Sequence, residues 1–347
     1  LTGLTGGTTY YFRTYASNWK GNVWASTTHS FTTVTSTVQD NPVRNSDLKA
    51  WWKLDGNLKD SSGNNRHGDG AFIWKPTTVS NLKLWLDAAD TSSLTHSSNA
   101  VTQWDDKSGN GNHATQATGS SQPSTNTSTR NSLNVVDFSS DFLVSPININ
   151  RSTMPDLSIF AVFALKTTSG DGFLFGQDNG GWDRTAALQR PDTSSRWGIA
   201  NASGTTAFTP SRTPDLNYHV LSLVLDTAVS NGSLVSLDGA SPTAFTEGAG
   251  DGHSTTAIGA LRHDGTYSMN AYLAEMIFID SSVSTSDRQK IEGYLAHKWG
   301  LSGSLASSHP YKFTIPISGN SPFSTDVASG SGKSLDLSNS SFATVST

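Results

Sequence analysis

The sequence predicts an all-β sandwich closed by one helix near its C-terminal end, with partial β domains on either side. Charged residues make up 15% of the 347-residue chain, against roughly 25% in ordinary globular proteins. Ser, Thr, Asn and Gly fill the difference, a mix that suits short strands joined by many turns. Short apolar runs alternate with turn signals such as Ser169-Gly-Asp-Gly172, Asn179-Gly-Gly181 and Asp238-Gly239. A single stretch, from Ser284 towards Tyr311, supports a long helix.

In that stretch Ser284 and Asp287 form a capping-box-like S-x-x-D pair, which satisfies the free N–H groups of a first turn. Ile291, Tyr294, Leu295, Lys298 and Trp299 recur at helical spacing, and Gly300 suits the residue after the C-cap. Directly before it, Ala271–Asp280 reads as a strand that is apolar on nearly both faces. One helix after a run of strands suggests a lid on a sheet rather than a catalytic helix.

Taken from the N-terminus, residues 1–33 read as two strands and a hairpin, with the corner pattern Leu4-Thr-Gly-Gly-Thr-Thr-Tyr10. Residues 34–46 are a polar linker. An internal repeat follows: Asp60–His67 (DSSGNNRH) matches Asp106–His113 (DKSGNGNH), each after a Trp-containing apolar strand. A second echo links Ser132–Val144 with Ser334–Val345. Paired echoes mark two copies of one domain. The order predicts a complete copy over 80–313 inserted between split pieces, 47–79 and 314–347, of the other copy; three tandem modules are the alternative. Predicted strands of the complete copy are Leu133–Phe138, Leu157–Leu165, Phe173–Gly176, Thr185–Gln189, Trp197–Ala200, Tyr218–Leu225, Leu234–Asp238, Ala257–Leu261 and Ala271–Asp280. Leu157–Leu165 and Tyr218–Leu225 are apolar on both faces, so both are expected at the centre of a covered sheet.

The net charge is −5 with no basic cluster, which argues against a nucleic-acid partner. Of 28 acidic residues only Glu247, Glu275 and Glu292 are glutamate; the aspartate bias reports turns and caps. There is no cysteine, which excludes disulfides, thiolate metal sites and cysteine nucleophiles. No apolar run approaches the roughly 20 residues of a membrane span. The lack of cysteine favours a bacterial surface protein over a secreted eukaryotic module, and the abrupt ends read as those of an internal fragment.

The opening LKLWLDAADTSSLTHSSNAVTQWDDKSGNGNHATQ and the closing AEMIFIDSSVSTSDRQKIEGYLAHKWGL with SSHPY closely resemble the bacterial laminin-G-like, concanavalin A-like jelly-roll modules. The WKLDGNLKDSSGNNRHG and GKSLDLSNSSFATV pieces resemble a sister group, and residues 1–33 resemble the last two strands of a fibronectin type III domain, in which the corner tyrosine hydroxyl ties to the backbone. The resemblance implies two antiparallel sheets in an extracellular or cell-surface protein. It also implies a non-catalytic module that binds a glycan or a cell-surface protein, in some cases with calcium. An accessory carbohydrate-binding region of a polysaccharide-degrading enzyme is the alternative. Hydrolases of this fold carry an E-x-D-x-x-E or E-x-D-x-E strand, which is absent here, so no enzyme is expected. Glu275 is expected to be paired or at a rim.

Asp106, Asn110 and Asn112 are candidate calcium ligands because hard oxygens cluster there; capping of a tight turn is the competing role. His113 and His67 share a repeat position, which favours a structural hydrogen bond. Sugar binding wants displayed aromatics beside polar groups, and two loops offer them. Trp182, Asp183 and Arg184 lie on one, His263, Asp264 and Tyr267 on the other. A place in a core or in an inter-domain contact is the competing and favoured role of Trp182, whereas Trp85, Trp104, Trp197 and Trp299 lie in periodic elements and are expected inside.

Overall fold

The computed structural model describes residues 5, 7–18, 21–33, 74–168, 172–181, 183–189, 198–201, 204–207, 214–247 and 250–316. The chain divides into two compact units, Leu1–Gly70 with Pro322–Thr347, and Ala71–Ser321. The linker 34–46, the repeat copy Asp60–His67 and the closing echo 334–345 lie outside the described residues.

In the first unit, β1 (Thr9–Phe12) pairs with β4 (His29–Thr32), and β2 (Tyr15–Asn18) pairs with β3 (Gly21–Trp24). This small β unit is built on cross-strand aromatic pairs, Tyr10 with Phe31 and Tyr15 with Trp24. Tyr10 stacks on Phe31 at 5.9 Å, and the Tyr10 hydroxyl accepts the Thr5 backbone N–H at 2.7 Å. Tyr11, Phe12, Tyr15, Val23 and Trp24 remain exposed on it.

The second unit begins with β5 (Leu82–Asp87), β6 (Leu94–Ser97), β7 (Ala100–Trp104), β8 (Ala114–Thr115), β9 (Thr129–Arg130) and β10 (Leu133–Asn134). There follow β11 (Val136–Asp141), β12 (Leu143–Ser145), β13 (Leu157–Leu165), β14 (Gly172–Gly176), β15 (Thr185–Gln189) and β16 (Gly198–Asn201). The rest are β17 (Gly204–Ala207), β18 (Tyr218–Leu225), β19 (Ser233–Leu237), β20 (Thr243–Phe245), β21 (Thr256–Ile258) and β22 (Met269–Ile279), then helix α1 (Thr285–Lys298). Among the described residues one sheet runs β11-β22-β13-β18-β19-β20, with β5 beside β11 on the same edge of β22; a second runs β17-β16-β15-β14-β21-β12-β8-β7-β6, and β9 pairs with β10 alone. Every pairing is antiparallel.

Among the described residues the predicted all-β sandwich with one α-helix is therefore the fold. Strand β13 shows why its nine residues are all buried. Ile159, Ala161, Phe163 and Leu165 enter the core between the sheets, while Phe160 and Val162 enter a second core under α1. Period-two alternation sends neighbours to opposite faces, and here both faces are covered. The helix starts as predicted, with Ser284 Oγ accepting the Asp287 N–H at 3.1 Å, and Gly300 takes φ +66° after its end. Ile291, Tyr294, Leu295 and Trp299 face the sheet. Trp85, Trp104 and Trp299 are buried; Trp197 lies outside the described residues. Fully burying a Leu or Ile side chain contributes about 1.5–3 kcal/mol, so Ile291 and Leu295 help hold the helix on the sheet.

A bulge decides one polar position. Val162 stands opposite Glu275 but Phe163 opposite Leu273, so Ala274 is the extra residue. A bulge of this kind reverses which face the following residues present. Glu275 consequently faces α1 rather than the sandwich core, and it is fully buried, not at a rim. Its carboxylate accepts Trp85 Nε1 and Tyr294 OH on one oxygen (2.7 and 2.9 Å), and Trp299 Nε1 and Lys298 Nζ on the other (both 2.7 Å). The other glutamates are buried too: Glu247 meets Arg184, and Glu292 meets Arg288 Nη1 at 2.6 Å, Ser222 Oγ at 2.7 Å and His309 Nε2 at 3.0 Å. Because His309 Nδ1 accepts the Tyr311 N–H at 3.2 Å, its Nε2 carries the proton donated to Glu292.

Candidate functional site

The two predicted sugar loops meet. Loop 177–184 follows β14, loop 259–268 joins β21 to β22, and the two chains approach until the Asp178 N–H donates to the Leu261 carbonyl at 3.3 Å. Glycine makes this possible, since a Cβ on Gly176 would stand 2.3 Å from the Leu261 carbonyl oxygen. Arg262 Nε then closes an ion pair to Asp178 Oδ2 at 2.6 Å, with Asp178 buried and Arg262 part-exposed. The His253 and His263 rings meet edge to face at 3.9 Å.

Tyr267 is 46% exposed, with its ring 6.1 Å from Phe173. Its φ is +54°, a left-handed conformation that a bulky residue seldom adopts and that concentrates at functional positions. Asp264 is open to solvent, and the hydroxyl and N–H of Thr266 hold its carboxyl below the usual range. Thus His263, Asp264 and Tyr267 form a displayed aromatic-and-polar edge. Asp183 and Arg184 do not reach it. Asp183 is buried and its Oδ2 accepts the Asn179 N–H at 3.2 Å. The Arg184 guanidinium is spent on Glu247 and the carbonyls of Ile149, Met154 and Pro155, so it anchors the loop from within. Trp182 lies outside the described residues.

The residues proposed for calcium do not fit a cation. Asp106 Oδ1 accepts the N–H groups of Trp85 and Ser108, both at 2.9 Å; Oδ2 accepts Asn112 N–H at 3.0 Å and Ser108 Oγ at 2.7 Å. Asn110 Nδ2 donates to the Leu82 carbonyl at 2.7 Å and Asn112 Nδ2 to that of Lys83 at 2.8 Å. Donors thus surround the carboxylate where a cation would need acceptors. Gly109 and Gly111 take φ +89° and +74°, and the loop is a knot tying β8 to β5. His113 Nδ1 accepts the Asp106 N–H at 3.1 Å, a structural bond as its repeat position implies.

The sequence reading missed two polar sites. A cleft of about 470 Å³ lies beside the start of α1, lined by Trp74, Ser80, Asn81, Ser281, Ser282 and Lys290 among others. At the start of β18, His219 is buried with Nδ1 on Asp238 at 2.8 Å and Nε2 on Asp215 at 3.0 Å. Lys298 within the apolar stripe of α1 was a legible sign that a buried acid lies opposite.

No family model and no curated protein matches the chain. Among solved structures, a sialidase of Trypanosoma rangeli in complex with sialic acid is similar at 13% identity and TM-score 0.46, over 67% of this chain and 36% of that one. Domain 4 of a GH43 extracellular arabinanase from Geobacillus stearothermophilus, in complex with arabinotriose, is similar at 12% identity and TM-score 0.43, over 60% and 96%. The binding domain of botulinum neurotoxin serotype D is similar at 10% identity and TM-score 0.39, over 61% and 51%. The chain spans only about a third of the length of the sialidases, 33% and 36% for two of them. The expectation that the chain is not an enzyme is corrected by this finding: sialidases are enzymes, and the β-sandwich class does not set the chain apart from them.

Proposed function

We propose that the unit Ala71–Ser321 is a laminin-G-like jelly roll that binds a glycan at the edge formed by loops 177–184 and 259–268, in a protein working outside the cell. The observation that carries this reading is the exposed, left-handed Tyr267 standing with His263 and Asp264 on a loop braced by the Arg262–Asp178 pair. A pyranose ring offers C–H groups to an aromatic face and hydroxyls to the acid and imidazole beside it. The Tyr10 corner of the first unit supports a fibronectin type III hairpin preceding it.

A glycan array on the full chain, followed by titration of the best hit, tests the reading. Tyr267→Asn removes the ring yet tolerates positive φ. A lost aromatic contact of about 0.5–1.5 kcal/mol corresponds to up to about a tenfold rise in Kd, and Trp182→Ala is expected to weaken binding as well. Unchanged affinity in a folded Tyr267→Asn variant would remove this edge as the site, and an array without any hit would remove the glycan.

A further inference from the structure

Beneath α1 the sheet carries an arrangement that a sugar-binding edge has no need of. Asp87 and Glu275 are direct partners in the β5–β22 register, so two carboxylates face the same side of adjacent strands. Like charges placed this way repel, and both groups are buried. One ammonium lies between them: Lys298 Nζ is 2.6 Å from Asp87 Oδ1 and 2.7 Å from Glu275 Oε2. A second, Lys107 Nζ, is 2.9 Å from Asp87 Oδ2. Trp85, Tyr294 and Trp299 wall the group, with Lys298 Nζ 5.6 and 5.3 Å from the Tyr294 and Trp299 rings. The lysine cannot easily withdraw. Asn131 Nδ2 holds its carbonyl at 2.8 Å, and Arg130 holds those of Trp299 and Gly300 at 3.0 and 2.9 Å.

We propose that Lys298 and Asp87 become joined by an isopeptide bond that the protein forms itself, with Glu275 as the proton carrier. An amine, a carboxyl group and a buried acid touching the amine are the parts that amide formation needs. The Lys298 ammonium passes a proton to Glu275 Oε2, and the freed nitrogen lone pair attacks Asp87 Cγ. Negative charge gathers on Oδ2, where the Lys107 ammonium stabilises it. Collapse breaks the Cγ–Oδ1 bond; Oδ1 departs as water with the two protons that nitrogen released, both relayed by Glu275. An ammonium and a carboxylate thus become an amide and one water, with no oxidant and no co-reactant. Fixing the two groups on packed elements replaces the high concentration such a condensation would otherwise require. Burial holds the Glu275 carboxyl above its ordinary range, against the pull of Lys298 and aided by Asp87, which suits a group that must carry a proton. The product would bolt the end of the lid to β5 across 211 residues of sequence.

The test is the intact mass of the full chain after folding and denaturation. The expected result is a chain lighter than its sequence by one water, with a protease digest yielding a branched peptide that joins Asp87 to Lys298. Lys298→Arg and Glu275→Gln are each expected to restore the full sequence mass. A wild-type chain at full sequence mass would overturn the proposal and leave an ion-pair network; so would a lost water that maps anywhere else. The wild-type measurement decides without relying on any variant to fold.

Discussion

Substituting Glu247 by Ala tests whether the sugar-loop edge is held from inside. Arg184 and Glu247 side chains are 3% and 2% exposed, and the pair is bidentate, with Nη2 to Oε2 at 3.0 Å. Nη1 donates to the Ile149 carbonyl and Nη2 to that of Pro155, both at 2.9 Å, and Nη1 also to that of Met154. Removing the carboxylate leaves the buried guanidinium hydrogen-bonded to carbonyls alone. Breaking one side of a buried pair costs about 3–5 kcal/mol. For a unit of this size each kcal/mol moves Tm by about 2–4 °C, so calorimetry should record a fall of about 6–20 °C. In Arg184→Met with Glu247→Ala no charge is stranded, and the double variant should lose less than the sum of the singles. A Glu247→Ala variant within about 1 kcal/mol of wild type, or an additive cycle, would refute the reasoning.

Two further outcomes follow from the geometry. Burial alone would lower the His219 pKa, but the carboxylates of Asp238 and Asp215 outweigh it and raise it. The stability this adds is complete below the unfolded imidazole value of about 6.5 and is lost as pH rises through the higher folded value. Denaturation midpoints should therefore decline as pH rises above about 6.5 in the wild type and much less in His219→Gln; parallel profiles would contradict the assignment. Millimolar calcium is expected to leave the melting temperature unchanged, because Asp106 is already saturated by donors. A rise that chelator reverses would show a cation site after all.

Much of the architecture could be read in the chain because its signals are local. Ser284 and Asp287 announce a helix start within four residues, and the unbroken apolar run Leu157–Leu165 announces a strand covered on both faces. The displayed loop at Tyr267 was likewise legible from glycine and aromatic spacing. Arg184 was misjudged for a physical reason: a charged residue beside a glycine turn looks exposed until its partner, 63 positions away, is known.

Alone, then, the sequence determined the sandwich, its lid and the surface loops, since period, caps and turn residues act over a few positions. The tertiary structure decided where charge is buried. One bulged residue, Ala274, turns Glu275 towards the helix, and only folding brings it to Trp85, 190 positions earlier. Which cation each buried glutamate meets depends on strand register, and register is a property of the assembled sheet.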